Sequence, residues 1–147
     1  MIDHDAILEF LLALTKTYKV QAIGIDQAGA TAMVTRLQRE LGEALVQEVP
    51  QGFRYLSEPS KLLEALVVGQ QLRHPNNPVM NWCMGNLAVE ENAWRETRPV
   101  KISQRQRIDG PVSLILALAM HLRHQPAPEP KFQMIILGGR ERAGGWR

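Results

Sequence analysis

The stretch Val20-Gln21-Ala22-Ile23-Gly24-Ile25-Asp26 decides the fold class. Its apolar residues and its end at an aspartate predict a short strand. The next segment places apolar residues on one face of a helix, which Gly42 ends, and residues 45–49 read as a second strand. The apolar residues of that helix are Met33, Val34, Leu37 and Leu41. Because a strand–helix–strand crossover joins parallel strands, this unit predicts an α/β fold.

The segments on either side extend this unit to a mixed sheet flanked by helices. Asp3 is a suitable N-cap for a helix with Ile7, Phe10, Leu11 and Leu14 on its apolar face. Ser57 is the predicted cap of a third helix, which has Pro59 in its first turn and ends at Gly69. A turn at residues 75–78 precedes a short helix, and residues 86–91 and 97–102 read as a hairpin. The last helix, residues 112–122, is apolar nearly all round and should be buried.

Length and composition fit one domain with an appendage. The 147 residues suit a domain at residues 1–123, followed by a basic tail rich in Pro and Gly at residues 124–147. The single cysteine, Cys83, excludes an internal disulfide and fits a reducing compartment. No apolar run is long enough to cross a bilayer, and the start is acidic rather than signal-like. We therefore expect a cytoplasmic protein without a membrane partner.

The charges are unevenly distributed along the chain. Residues 1–97 hold 8 basic and 12 acidic side chains, a balance of −4, whereas residues 98–147 hold 9 and 3, a balance of +6. A basic last third indicates a polyanionic partner. The alternative is a solvated face and tail, which charge alone favours by roughly two to one.

Two aspartates stand where the pattern predicts a site. Asp26 follows a parallel strand, at the sheet edge where ligands bind in open α/β folds, and Asp109 stands at the start of the last helix. If they meet, their oxygens suit Mg²⁺ or Mn²⁺. The alternatives are local: Asp109 as an N-cap and Asp26 as a turn residue.

The basic residues near Asp109, His74 and two residues of the short helix each have two interpretations. Lys101, Arg105 and Arg107 would neutralise DNA phosphates, or they form a solvated loop. His74 would be a ligand or proton donor, although a histidine that fixes the turn before Pro78 is the simpler interpretation. Trp82 and Met84 are interpreted as core residues rather than as a platform for bases.

Five segments in order carry a family resemblance. They are Asp-His-Asp-Ala-Ile at residues 3–7, Ala-Ile-Gly-Ile-Asp at 22–26, Glu-Val-Pro-Gln-Gly-Phe-Arg at 48–54, Leu-Arg-His-Pro-Asn-Asn-Pro-Val at 72–79 and Arg-Ile-Asp-Gly at 107–110. From about residue 3 to about residue 122 the chain resembles the large terminase subunit of tailed bacteriophages.

The resemblance implies a fold, a reaction and partners. Such subunits join a packaging ATPase to a nuclease with a ribonuclease-H-like fold, which cuts concatemeric double-stranded DNA with three acidic positions and two Mg²⁺ or Mn²⁺ ions. Asp26 matches the second acidic position, Asp109 the third, and Lys101 a lysine that commonly precedes the third. His74 and Pro78 match a recurrent turn. The implied partners are DNA, the small terminase subunit and the portal or procapsid.

The chain also departs from the family pattern. The family's first aspartate lies upstream of the helix that Asp3 caps, no Walker-type loop is present, and the turn after Asp26 lacks the tryptophan often found there. We therefore expect an excerpt of a longer protein, a split gene or a decayed prophage remnant. The expected activity of a partial ribonuclease-H-like fold is weak or absent cleavage, with self-association or partner strands covering its sheet edge. The alternative is a catalytically dead remnant that only binds DNA or another protein.

Overall fold

A computed structural model describes residues 3–26, 28 and 31–125. In this part of the chain five helices and four strands follow one another. In order they are α1 His4–Thr17, β1 Ile23–Ile25, α2 Thr31–Leu41, β2 Val46–Glu48, α3 Phe53–Val68, α4 Pro78–Gly85, β3 Leu87–Glu91, β4 Thr97–Lys101 and α5 Asp109–His124. None of the helices described is both long and apolar enough to pass through a bilayer. The tail predicted at residues 124–147 lies outside the described residues from residue 126 onward.

The strand–helix–strand unit forms as predicted. β1 pairs with β2 in parallel, with Ile23 opposite Val46. Gly42 ends α2 with a φ of 89°, a left-handed conformation that glycine adopts without steric cost. Leu37 and Val46 are fully buried between this unit and α1. Within the described residues each strand of the pair has one neighbour, so the other edges are unpaired.

The first helix is confirmed, but its buried face is shifted. The Asp3 carboxylate accepts hydrogen bonds from the backbone N–H groups of Asp5 and Ala6, as an N-cap does. Leu8 is the buried residue, whereas Phe10 is 63% exposed. An ion pair between Asp5 and Arg36 links α1 to α2.

The predicted start of α3 at Ser57 is wrong. The helix begins at Phe53, after the N-cap Gly52, and Ser57 and Pro59 lie buried inside it. The Ser57 hydroxyl accepts a hydrogen bond from the backbone N–H of Thr97 in β4, 3.1 Å away, instead of capping the helix. Because Pro59 has no backbone N–H, α3 lacks one helical hydrogen bond at this residue. Burial of Leu56, 1% exposed, favours the earlier start because it adds a core contact on the same face.

The remaining elements pack around α5. β3 and β4 form the predicted antiparallel hairpin, in a sheet separate from β1 and β2. The main core joins α3, α5 and the end of β2 through Val49, Leu56, Leu63, Ile115, Leu116, Ala119 and Met120. α5 is buried along one face rather than all round, because Ser113 and Ala117 are exposed. The fold class is the predicted α/β, with helices packed on small sheets.

Candidate functional site

Asp26 lies just beyond β1, at the edge where both parallel strands end. Its Oδ1 accepts a hydrogen bond from the backbone N–H of Ala28, 3.0 Å away, so this carboxylate holds the turn that leads to α2. The half-buried side chain lines a cavity of about 310 Å³. Glu48 lines the same cavity, because its strand runs parallel to β1. Two acidic residues therefore line one cavity, and the carboxylate of Asp26 already holds a turn.

Asp109 is the first residue of α5 and is exposed. The N-cap is Ile108, and no side chain caps this helix end, so Asp109 does not fill the N-cap role. Its side chain lines a cavity of about 600 Å³ with residues of α4, Arg107 and Gly110. The α4 end of that cavity comprises Asn77, Val79, Met80, Trp82 and Cys83. Asp109 is thus presented to solvent beside α4.

Asp26 and Asp109 line different cavities. Gln21 and Ala22 share a cavity with residues 117–125, whereas Gly24 contacts Leu116 and Met120, so β1 runs toward the half of α5 that begins with Asp109. The direction of β1 therefore brings Asp26 toward the Asp109 end of α5 rather than toward the His124 end.

The donor set for a divalent metal is incomplete in the described part of the chain. Across residues 3–26, 28 and 31–125, no three His, Cys, Asp or Glu side chains come together in a group that could hold a metal ion. The two-ion site that the family implies needs ligands for ions about 3.5–4 Å apart. Only part of this ligand set is present: one cavity has Asp26 and Glu48, and the other has Asp109.

The basic residues lie on one exposed segment beside Asp109. Lys101 ends β4, and Arg105 and Arg107 follow in the loop that leads to α5. The buried Asn86 fixes this loop, because its side-chain amide donates to the backbone carbonyl of Arg107 over 3.1 Å. The backbone carbonyl of Asn86 accepts from the N–H of Ile102 over 3.2 Å. Two cationic side chains are therefore presented by an anchored loop, and a third by the last residue of β4.

His74 and Pro78 belong to the turn that starts α4. The Nδ1 atom of His74 accepts a hydrogen bond from the backbone N–H of Asn76, 3.2 Å away. Asn76 has a φ of 57°, and Asn77 caps the helix through the N–H groups of Val79 and Met80. Pro78 occupies the first turn of α4, where its missing N–H costs nothing. The turn positions the α4 wall of the Asp109 cavity.

The sequence pattern did not predict that Trp82 and Glu48 line these cavities. Met84 packs against the core as predicted, but Trp82 is 52% exposed and lines the Asp109 cavity. Residues two positions apart lie about 200° apart around a helix, so Trp82 and Met84 do not face the same core, and the prediction of Trp82 as a core residue was wrong. Glu48 ends a strand parallel to β1, and the shared sheet edge was the signal that places it near Asp26.

Comparisons with known proteins agree on one family. A sequence profile of the family described as "Terminase large subunit, endonuclease domain" matches residues 1–125. Protein YmfN of Escherichia coli (strain K12) is 31% identical over an alignment of 128 residues, and the match covers 84% of this chain and 27% of that protein. The crystal structure of the HK97 bacteriophage large terminase superposes with a TM-score of 0.71 at 19% identity, covering 81% of this chain and 25% of that one. The chain thus spans about a quarter of the length of these relatives, and the fold likeness confirms the predicted partial ribonuclease-H-like architecture.

Proposed function

Because this chain belongs to the family of terminase large subunit endonuclease domains, we propose that it serves as nuclease in phage DNA packaging. Its substrate would be concatemeric double-stranded DNA, cut when packaging starts and ends. The observation that carries this proposal is the presentation of Asp109 and the anchored basic loop on one exposed surface. The proposed nuclease would cut DNA in the cytoplasm of a bacterial host.

The proposed metal ligands are Asp26 and Asp109, with Mg²⁺ or Mn²⁺ as the ion, and Glu48 as a further carboxylate beside Asp26. Two carboxylates in one cavity and one in another hold divalent ions weakly, since water would have to supply most of the six oxygen ligands that each Mg²⁺ ion takes. Weak or absent cleavage by these residues alone follows from that shortage. A further strand or chain that supplies a carboxylate at this edge would complete the set.

Lys101, Arg105 and Arg107 would bind the DNA backbone. Each cation placed at a phosphate releases condensed counterions, so affinity falls steeply with salt. Contacts to phosphates set the position of a strand but do not read its sequence. The loop would thereby hold the scissile strand against the start of α5.

A supercoiled-plasmid assay with Mn²⁺ tests the proposal. Any nicking by the wild-type chain should be lost in Asp26→Asn and in Asp109→Asn. Glu40→Gln is the matched control, because Glu40 is exposed near the end of α2, at the opposite end of the strands from Asp26. Nicking that survives Asp109→Asn would remove Asp109 from the reaction, and equal loss in Glu40→Gln would show a general charge effect.

The second candidate is a catalytically dead remnant that only binds DNA or a protein. The absence of a three-ligand group among the described residues favours it. It predicts DNA binding with the same affinity with and without Mn²⁺, and no nicking at any protein concentration. The proposed protein partners are the small terminase subunit, the portal or procapsid, and a second copy of this chain at the unpaired sheet edges. Light scattering tests self-association, because the apparent mass should rise with protein concentration if two copies of this chain pair.

A further inference from the structure

The cavity beside Asp109 has an apolar, aromatic wall that the proposed reaction does not use. Trp82 is 52% exposed and Val79 is 65% exposed, and Met80 completes this wall. The cavity measures about 600 Å³, within the range of about 300–1,000 Å³ typical of small-molecule sites. An indole exposed in such a cavity can accept a flat ring against its face.

The other wall is charged. Arg107 and Asp109 are both exposed there, and in the part of the chain that the structure describes neither makes an ion pair. The bond from Asn86 to the Arg107 carbonyl holds this arginine next to α4. A guanidinium that is not engaged by a carboxylate is suited to a phosphate. The cavity therefore combines a stacking surface with a phosphate-binding group.

The two walls are brought together by a close helix contact. A Cβ at Gly110 would lie 2.5 Å from the Met80 sulfur and 3.5 Å from the Cys83 Cβ. Glycine at this position leaves room for the Met80 side chain where α4 approaches the first turn of α5. The approach places Trp82 on the same cavity as Asp109.

We propose that this cavity, lined by Trp82, Met80, Arg107 and Asp109, is a nucleotide subsite that receives one unpaired base of the bound DNA strand. The base would stack on the indole of Trp82, and its phosphate would contact Arg107. The inference rests on the proposed nuclease function, because it identifies how the strand is held beside Asp109. Since every base has a π-face, the subsite tolerates any base.

Tryptophan emission reports the stacking directly. The double variant Trp94→Phe/Trp146→Phe keeps Trp82 as the single tryptophan, and Trp82→Phe/Trp146→Phe keeps Trp94, which is 81% exposed at the hairpin tip, as the control. A short single-stranded oligonucleotide should quench Trp82 and leave Trp94 unchanged. A Trp82 that acrylamide cannot reach before DNA is added would be covered by another segment, and the proposal would be overturned.

Binding of a labelled oligonucleotide separates stacking from charge. Trp82→Leu should bind roughly 5- to 150-fold more weakly, the range for loss of one stacked base, with its salt dependence unchanged. Trp82→Phe should recover much of that loss. Arg107→Gln should instead lower the slope of log affinity against log salt by about 0.7, the value for one single-strand phosphate.

The outcomes distinguish this inference from the function on which it rests. Wild-type binding to DNA with no change in Trp82 emission, and unchanged affinity of Trp82→Leu, would overturn the subsite and leave the nuclease proposal standing. No DNA binding by the wild type, with or without Mn²⁺, would overturn both. A salt slope that changes equally in Trp82→Leu and Arg107→Gln would also contradict a stacking role.

Discussion

Replacing Gly24 with alanine should loosen the contact that sets β1 against α5. A Cβ at this position would lie 2.9 Å from Met120 Cγ, 3.0 Å from the Leu116 carbonyl oxygen and 3.2 Å from Val49 Cγ2. Carbon atoms pack best at about 3.5–4.0 Å, so each neighbour would have to retreat by several tenths of an ångström. The Leu116 oxygen belongs to the helix backbone, and it moves only if α5 moves.

The cost follows from these distances. Overpacking a core by one methyl group costs about 1–3 kcal/mol, and alanine recovers about 0.5–1 kcal/mol that glycine loses in a regular element. The free energy of unfolding should therefore fall by about 0.5–2 kcal/mol. With an m-value of about 2 kcal/mol/M, the urea midpoint would fall by about 0.25–1 M.

Gly85→Ala is the matched control for that urea experiment. A Cβ at Gly85 would meet no atom within 4 Å, and this residue ends α4, so alanine should be neutral or raise the free energy of unfolding by up to about 1 kcal/mol. If Gly24→Ala proves as stable as the wild type, or shifts the midpoint as Gly85→Ala does, then β1 and α5 are not packed as described.

Three further substitutions test other contacts by urea denaturation. Asp3→Ala removes the acceptor for two N–H groups at the start of α1 and should cost about 1 kcal/mol; an unchanged midpoint would show that the cap contributes nothing. Asn86→Ala should cost about 1–3 kcal/mol because it removes a buried side-chain amide and leaves the part-buried Arg107 carbonyl without that hydrogen bond, whereas Asn81→Ala, in an exposed pair, should cost less. Equal losses at the two asparagines would refute the anchoring of the loop. Ser60→Ala should be neutral or stabilising by up to about 1 kcal/mol, since among the described residues its buried hydroxyl has no hydrogen-bond partner; a loss of 1 kcal/mol or more would contradict that environment.

The sequence predicted those elements whose boundaries depend on local chemistry. Asp3 caps α1 and Gly42 ends α2 because each satisfies backbone groups within a few residues. The parallel pairing of β1 and β2 followed from the short crossover between them. These features require no knowledge of distant contacts.

Features that depend on distant contacts were not predictable from the pattern. Ser57 has the chemistry of a cap, yet its hydroxyl bonds to Thr97, forty positions along the chain, and the helix begins earlier. The sequence pattern and the family resemblance both singled out Asp109, but the neighbours of its cavity come from α4 by packing at Gly110. For the same reason Trp82 was interpreted as core, since helical spacing does not reveal which face meets the core.

The central proposal is that Asp26, at the end of β1, and Asp109, at the start of α5, bind divalent cations of one nuclease site, although the two residues line different cavities in this chain by itself. Paramagnetic Mn²⁺ added to isotope-labelled protein tests it, because amide signals near the bound ion broaden first. We expect signals around Ala28 and around Gly110 to broaden together at the same low Mn²⁺ concentration, and both to be spared in Asp26→Asn. Broadening of only one group, or of neither, would contradict a shared site.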